Sequence, residues 1–274
     1  MTSTFLYGQN VHSNGIRQHF LRYGGTGLPI LLLPGITSPA VTWGFVAERL
    51  GRHFDVYVLD VRGRGLSEAA DHLDYTIDAC TDDVGALVST LGLKRYAIVA
   101  HSFGARIAVR AARKHPGGLE RMVLIDPPVS GPGRRPYPAD IGWYLESIRM
   151  ALRGSDYESM RSFLPTWTDA QLRLRAEWLH TCDLKAVADA YTNFHEDDMH
   201  GDLPHISIPI RLVAAGRGDV IRPEELDQIV SLSPNLTAVR VPAAGHMVPW
   251  DDEAGFYAAL GDFLGQAIDA GAGA

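Results

Sequence analysis

A serine between an apolar run and a helical pattern is the feature that most constrains how this chain can fold. Residues 96–99 (Tyr-Ala-Ile-Val) are typical of a buried strand, and residues 105–112 have the apolar periodicity of a helix. Residues 100–104 (Ala-His-Ser-Phe-Gly) join them, with Ser102 at the centre. Small residues are needed here because strand and helix nearly touch at so sharp a turn. The pattern predicts a nucleophile elbow, with Ala100 where glycine is usual.

The same alternation of short apolar runs and amphipathic stretches extends along most of the chain. The predicted strands are residues 16–23, 28–33, 56–61, 96–99, 121–125, 209–215 and 237–241. The predicted helices are residues 40–50, 77–91, 105–112, 223–232 and 254–268. We expect Thr76 to cap the second helix, and Ser38 followed by Pro39 to begin the first. Fully apolar strands alternating with helices predict an α/β fold, with a mostly parallel sheet covered on both faces.

This alternation stops between Ser130 and His205. The interval opens with a Gly- and Pro-rich stretch at residues 131–138, which is incompatible with regular structure. Only helical patterns follow, at residues 141–152, 157–164, 169–181 and 184–194. We therefore predict a core made of residues 1–129 and 206–274, interrupted by a helical insertion at residues 130–205.

Composition excludes several classes of function. The formal net charge of −7 argues against a nucleic-acid-binding protein, which usually has a basic face. Cys80 and Cys182 are too few for a disulfide framework, and no histidine has the spacing of a metal ligand, so we expect neither metal nor cofactor. No apolar run has membrane-spanning length, and residues 1–10 lack a signal-peptide pattern. We expect a cytoplasmic protein that binds no nucleic acid and no membrane.

A serine hydroxyl needs a nearby base to become a nucleophile, and the base needs an orienting acid. His246 follows the last predicted strand, so it is expected at the same edge of the sheet as Ser102. Two aspartates could orient it. Asp219 follows the penultimate predicted strand, and Asp126 follows the strand after the elbow helix. Position alone favours Asp219, but either residue satisfies the chain order Ser…Asp…His.

Acyl transfer also requires donors for the developing oxyanion, and the backbone N–H groups of Ile36 and Phe103 are the expected pair. Arginines in loops that follow strands suggest an anionic substrate, because guanidinium groups pair with carboxylates. The candidates for that contact are Arg62, Arg64, Arg134, Arg135 and Arg217. The candidates for an apolar pocket wall are Trp43, Trp143, Tyr144 and Trp250.

Several longer segments are distinctive. They are residues 34–40 (PGITSPA), 42–50 (TWGFVAERL), 57–67 (YVLDVRGRGLS), 126–135 (DPPVSGPGRR), 175–182 (RAEWLHTC), 244–247 (AGHM) and 249–252 (PWDD). With these segments the chain resembles the α/β-hydrolases over nearly its full length. More narrowly, it resembles the N-formylmaleamate deformylases of aerobic nicotinic acid breakdown. The proline-rich segment at 126–135 and the Glu-Trp-Leu-His run at 177–180 are the most specific.

The resemblance implies an α/β-hydrolase fold in which the insertion is a lid over the pocket. It implies hydrolysis of N-formylmaleamate to maleamate and formate through a formyl-enzyme, with Ser102 as nucleophile and His246 as base. In this family the acid belongs to the Asp-Pro-Pro segment, which here contains Asp126. That reverses the preference from position, and Asp219 stays open because it is also present.

Other functions remain compatible with the sequence. The first alternative is an esterase, enol-lactonase or carbon–carbon bond hydrolase acting on a small carboxylated ring-cleavage product. The second is a non-catalytic ligand receptor built on the same scaffold. A haloalkane dehalogenase is disfavoured, since its nucleophile is an aspartate and the elbow here holds Ser102.

Overall fold

The fold is organised around one sheet, and the computed structural model describes residues 2–268 of the chain. Its strands in chain order are β1 (Phe5–Ser13), β2 (Ile16–Tyr23), β3 (Pro29–Leu33), β4 (Asp55–Asp60), β5 (Tyr96–His101), β6 (Leu119–Ile125), β7 (Ile210–Ala215) and β8 (Leu236–Val241). Their spatial order is β1-β2-β4-β3-β5-β6-β7-β8. The strands from β4 to β8 in that order pair in parallel, while β1 and β2 are antiparallel. The predicted α/β class and mostly parallel sheet are confirmed.

Helices cover both faces of the sheet. The core helices are α1 (Gly44–Leu50), α2 (Ile77–Thr90), α3 (Phe103–Lys114), α9 (Pro223–Ser231), α10 (Val248–Asp251) and α11 (Glu253–Leu260). Successive residues of a strand point to opposite faces, so Leu31 packs in one core with α2 and α3, and Ile30 packs in another with α1 and α11. Every residue of β5 is buried, as expected of a central strand covered on both sides.

The interval between β6 and β7 is helical, as predicted. It contains α4 (Ile141–Leu152), α5 (Tyr157–Arg161), α6 (Asp169–Trp178), α7 (Leu184–Glu196) and α8 (Met199–Asp202), with short 3₁₀ turns at Leu179–Thr181 and Leu203–His205. All five of these helices begin at a residue whose side chain accepts a backbone N–H, namely Asp140, Asp156, Thr168, Asp183 and Asp198. The division into a core and a lid stays a prediction, and Met1 and residues 269–274 of the predicted core lie outside the described part.

The N-terminal hairpin is absent from the prediction, which placed the first strand at Ile16. Strand β1 precedes it and pairs with β2 across a turn at Asn14 and Gly15, whose φ angles are 50° and 74°. An Asn-Gly pair between two strands is a strong hairpin signal, because both residues tolerate positive φ. Most of β1 is exposed, so it lacks the apolar alternation by which the other strands are recognised.

Two predicted helix ends are wrong. Ser38 caps no helix: residues Ala40–Trp43 form a 3₁₀ turn, and the Ala40 N–H donates instead to the Asp60 carboxylate at 2.6 Å. The last helix ends at Leu260 rather than at residue 268, because Gly261 takes a positive φ of 53°. Thr76 does cap α2, as predicted, by accepting the Ala79 N–H. Within residues 2–268, no helix has both the length and the apolar character needed to cross a bilayer.

Candidate active site

Ser102 lies at the turn between β5 and α3 in a strained conformation. Its φ is 53° and its ψ is −117°, a region that a non-glycine residue rarely adopts. The turn is tight on its far side as well. A Cβ atom on Gly104 would lie 2.2 Å from the Leu33 carbonyl oxygen, so this position requires glycine. The predicted strand–turn–helix arrangement is therefore present, with the serine hydroxyl held at the carboxyl edge of the sheet.

His246 bridges Ser102 and Asp126. Its Nε2 atom lies 3.0 Å from the Ser102 hydroxyl, and its Nδ1 atom lies 2.7 Å from Asp126 Oδ2. The Asp126 side chain has no exposed surface, and its other oxygen accepts the Ala215 N–H at 3.0 Å. Asp126 itself has a positive φ of 43°, which turns the carboxylate from the end of β6 toward His246. The arrangement suits a serine activated by an oriented imidazole.

The loop that carries His246 is held from two sides. The His101 Nε2 atom lies 3.0 Å from the His246 carbonyl oxygen, so this nitrogen carries the hydrogen and donates it. Burial lowers the pKa of His101 well below its usual value, so its ring is neutral at neutral pH. On the other side, Asp251 accepts the Gly245 N–H at 2.9 Å. These two contacts restrict the backbone on both sides of the imidazole.

Asp219, which position favoured as the acid, is not placed beside His246. Its side chain is about half exposed, and its carboxylate pairs with Arg222 at 2.8 Å and with Arg135 at 3.5 Å. The hydrogen bond to Arg222 lowers the pKa of Asp219. No hydrogen bond joins it to His246 in the described part of the chain. The preference from position is therefore wrong, and the geometry agrees with the resemblance, which points to Asp126.

Ile36 and Phe103, the predicted oxyanion donors, are both neighbours of Ser102: Ile36 lines the same cavity, and Phe103 is the next residue in the chain. Phe103 is the first residue of α3, where backbone N–H groups have no acceptor within the helix. Neither its N–H nor that of Ile36 donates to an acceptor within residues 2–268. The Ile36 loop is pressed against the elbow, because a Cβ atom on Gly35 would lie 3.4 Å from the Ser102 Cβ. Their role as oxyanion donors stays a prediction.

None of the five predicted arginines lines the cavity, although Arg64 is buried beside the site and donates to the Ile36 carbonyl at 3.0 Å. Arg62 is buried in a pair with Asp83, with nitrogen–oxygen distances of 2.5 and 2.6 Å. Arg135 pairs with Glu225 at 2.8 Å, and Arg134 donates to Gln228 at 2.9 Å. None of the three lines the cavity beside Ser102. Their expected contact with substrate is therefore corrected: Asp83 and Glu225, distant in sequence, already neutralise two of them.

A cavity of about 620 Å³ opens onto the Ser102 hydroxyl and His246. Its walls come from the loops after β3, β7 and β8, the elbow and the helical insertion. Of the four predicted aromatic wall residues, Trp143 and Tyr144 line it. Trp43 is fully buried and packs edge-on against Trp250, with ring centroids 4.7 Å apart, so neither tryptophan faces the cavity. Both were predicted wall residues of this cavity, and that prediction is wrong.

Arg175, on α6, lines the cavity but is not among the arginines predicted to bind the substrate. Its side chain is buried, and its two terminal nitrogens each lie 3.2 Å from an oxygen of Thr37. A signal was available in the sequence. Leu172, Arg175 and Leu179 are spaced three and four apart, which puts the arginine on the apolar face of its helix. Because burying a charged side chain costs free energy, an arginine on the apolar face of a helix indicates a functional or structural role.

In residues 2–268, no cluster of side chains could hold a metal ion.

Residues 29–253 match the family model described as alpha/beta hydrolase fold. The chain is 56% identical to an N-formylmaleamate deformylase of Pseudomonas putida, over 96% of this chain and 98% of that protein. A crystal structure of an N-formylmaleamic acid deformylase from Pseudomonas putida S16, a serine-to-alanine variant, is 57% identical. It superposes with a TM-score of 0.89 over 93% of this chain and all of that one.

A more distant likeness is to an enol-lactonase from Burkholderia xenovorans LB400, at 22% identity and a TM-score of 0.76. It covers 94% of this chain and the whole of the lactonase. At that identity the likeness shows the shared fold alone.

Proposed function

The chain belongs to the α/β-hydrolase family, and from this premise we propose that it hydrolyses the formyl amide of N-formylmaleamate to maleamate and formate. The observation that carries the proposal is the 56% identity to the deformylase over 96% of the chain. Such a specific likeness is needed to assign a substrate, because the α/β-hydrolase fold by itself is equally compatible with hydrolysis of esters, lactones and amides.

In the proposed mechanism, Ser102 attacks the formyl carbon while His246 Nε2 accepts the hydroxyl proton. The Oγ–carbon bond forms, and the electrons of the carbonyl move to oxygen. His246 then donates the proton to the nitrogen as the carbon–nitrogen bond breaks, so maleamate leaves and a formyl ester remains on Ser102. The hydrogen bond of 3.0 Å between Oγ and Nε2 supports the first proton transfer.

Water completes the cycle. His246 removes a proton from the water as it attacks the formyl ester, and then returns it to Ser102 Oγ as formate leaves. Asp126 stabilises the imidazolium that forms in both halves of the reaction and keeps its Nδ1 nitrogen protonated. The 2.7 Å contact and the full burial of Asp126 support this role, because a charge excluded from water interacts more strongly with its partner.

We assign the oxyanion of both tetrahedral intermediates to the backbone N–H groups of Ile36 and Phe103. A preorganised donor of this kind lowers the barrier without having to reorganise during the reaction. The N-terminus of α3 adds the positive end of its helix dipole at the same place.

Residues 130–205 act in this proposal as a lid over the substrate, which is a small anion. Tyr137, Trp143 and Arg175 come from that insertion and line the cavity over Ser102, which supports the assignment. A cytoplasmic location and the lack of a nucleic-acid partner stay predictions from the sequence.

Formate release tests the proposal. Purified protein should release formate from N-formylmaleamate, and Ser102→Ala should lose that activity while keeping its fold by circular dichroism. Simple carboxylate-free esters serve as the comparison. Turnover retained in Ser102→Ala contradicts the mechanism, and fast ester cleavage without formate release contradicts the substrate.

A further inference from the structure

Arg175 is a buried cation with no anionic partner inside the described protein. Its side chain is 95% removed from solvent, since only 5% of the residue's surface is exposed. No carboxylate lies within ion-pair distance of it in residues 2–268. Arg62, also buried, has Asp83 as its partner. Arg64, buried without a carboxylate, donates instead to three backbone carbonyls and does not line the cavity. Arg175 also lines the cavity that contains Ser102 and His246.

The contacts of Arg175 use only part of its hydrogen-bonding capacity. One terminal nitrogen donates to the Thr37 carbonyl and the other to the Thr37 hydroxyl, both at 3.2 Å. The Nε–H group is buried without a partner. Since a guanidinium has five N–H donors in a planar fork, free donors remain for a ligand.

The energetics favour a ligand that carries negative charge. An unpaired buried charge is strongly destabilising, and burial accordingly lowers the pKa of Arg175. The carboxylates around the cavity are already engaged. Asp126 pairs with His246, Asp219 with Arg222 and Asp251 with the Gly245 N–H. The remaining lining residue of this type, Asp140, is exposed and caps α4.

The position of Arg175 relates it to the reacting centre. Thr37, which holds the guanidinium, directly follows Ile36, the expected oxyanion donor. The guanidinium is therefore attached to the same loop that faces Ser102. Tyr144, from α4, also lines the cavity.

We propose, building on the proposed function, that Arg175 binds the substrate carboxylate at the end remote from the formyl group. N-formylmaleamate presents two carbonyl carbons on one nitrogen, and either could be attacked. With the carboxylate held by Arg175, the formyl carbon is the one directed to Ser102. The site therefore selects small amides and esters that carry a carboxylate, and the lid helix α6 contributes that selectivity.

Ligand binding without turnover tests this inference. The Ser102→Ala protein is titrated with maleamate and with its neutral counterpart maleamide by calorimetry. We expect maleamate to bind more tightly by roughly 10- to 100-fold, the effect of hydrogen bonds to a charged group. Arg175→Met in the same background should remove that preference, and Arg175→Lys should restore part of it. If the Ser102→Ala protein that keeps Arg175 binds maleamate and maleamide equally tightly, the proposal is overturned, and no arginine variant is needed to show it.

Arg173→Met is the matched control. Arg173 lies on the same helix, is exposed and stacks on the Tyr157 ring at 3.8 Å, so its loss should leave the preference unchanged. In the active protein, Arg175→Met should raise KM for N-formylmaleamate far more than for its methyl ester. An equal rise for both overturns the proposal.

The two proposals can fail separately. A carboxylate preference that depends on Arg175, in a protein that releases no formate, refutes the proposed function and supports the binding role. Formate release that is indifferent to Arg175 refutes the binding role alone.

Discussion

The Asp126 carboxylate and the His246 imidazole are joined by a contact of 2.7 Å, and the carboxylate has no exposed surface. Its second oxygen accepts the Ala215 N–H at 3.0 Å, so β7 holds the carboxylate in place. Asp126 has a positive φ of 43°. Three non-glycine residues of the described chain have a positive φ, and Ser102 is another of them. Strain is thus stored at both ends of the same hydrogen-bonded chain of residues.

Asp126→Asn should reduce kcat by roughly 10³- to 10⁴-fold, because the imidazole loses the partner that orients it and stabilises its charge. Asp219→Asn is the matched control, since its half-exposed carboxylate pairs with Arg222 and Arg135. It should retain kcat close to that of the wild type. Steady-state formate release measures both. The reverse ranking of the two variants would make Asp219 the acid.

Gly104→Ala should destabilise the protein by roughly 1 to 3 kcal/mol, since its Cβ would press on the Leu33 and Pro34 carbonyl oxygens at 2.2 and 2.5 Å. The elbow would have to shift, so kcat should fall as well. Gly117→Ala is the control, because no atom lies within 4 Å of its added Cβ. Urea unfolding gives both free energies. Equal free energies of unfolding for the two variants would show that the turn can accommodate a Cβ atom at residue 104.

Arg62→Met should act on stability rather than on substrate binding. Removing one partner of a buried pair leaves Asp83 uncompensated, at a cost of roughly 3 to 5 kcal/mol. Arg222→Met removes an exposed pair with Asp219 and should cost less than about 1 kcal/mol. At a temperature where Arg62→Met is still folded, its KM should match that of the wild type. If Arg62→Met raises KM and leaves the free energy of unfolding unchanged, Arg62 contacts the substrate after all.

His200 should make the protein less stable in mild acid. Burial, followed by the charge of Arg134, lowers the pKa of His200 to about 4, and both ring nitrogens are buried without hydrogen bonds. Between pH 6.5 and that value the unfolded chain binds a proton that the folded chain does not, so stability falls as pH falls. From pH 7 to pH 5 this residue contributes a loss of about 2 kcal/mol.

His200→Leu isolates this effect, because leucine does not titrate. Urea unfolding of both proteins at pH 7 and pH 5 should show a larger loss in the wild type. Identical losses would mean that His200 has an ordinary pKa in the folded state.

The elements that bear Ser102 and His246 could be predicted because each depends on local pattern. A buried strand followed by small residues and a helix predicts the elbow, and a histidine after the last strand belongs at the same sheet edge. Strand β1 was missed because its residues are mostly exposed and lack alternation, although Asn14 and Gly15 signal its turn. The hydrophobic pattern of the sequence therefore predicts buried strands and helices better than it predicts an exposed edge strand.

Partner choice could not be predicted from position. Asp126 and Asp219 both follow strands, and what separates them is the backbone turn at Asp126 and the arginines beside Asp219. Arg62 lies in the loop after β4 and Asp83 lies in the middle of α2, so no short sequence pattern indicates that they pair. The cavity arginine, Arg175, lies on the buried face of a lid helix, where only the packing of α6 against Thr37 brings it to the site.

The identity of the product pair tests the central claim most directly. N-formylmaleamate cleaved at its formyl carbon yields formate and maleamate, whereas cleavage at the neighbouring carbonyl yields formamide and maleate. Proton NMR of the wild-type reaction resolves the four compounds, with Ser102→Ala as the blank. We predict formate and maleamate in equal amounts, and neither from Ser102→Ala. Formamide and maleate from the wild type, or no reaction, would contradict deformylation at Ser102.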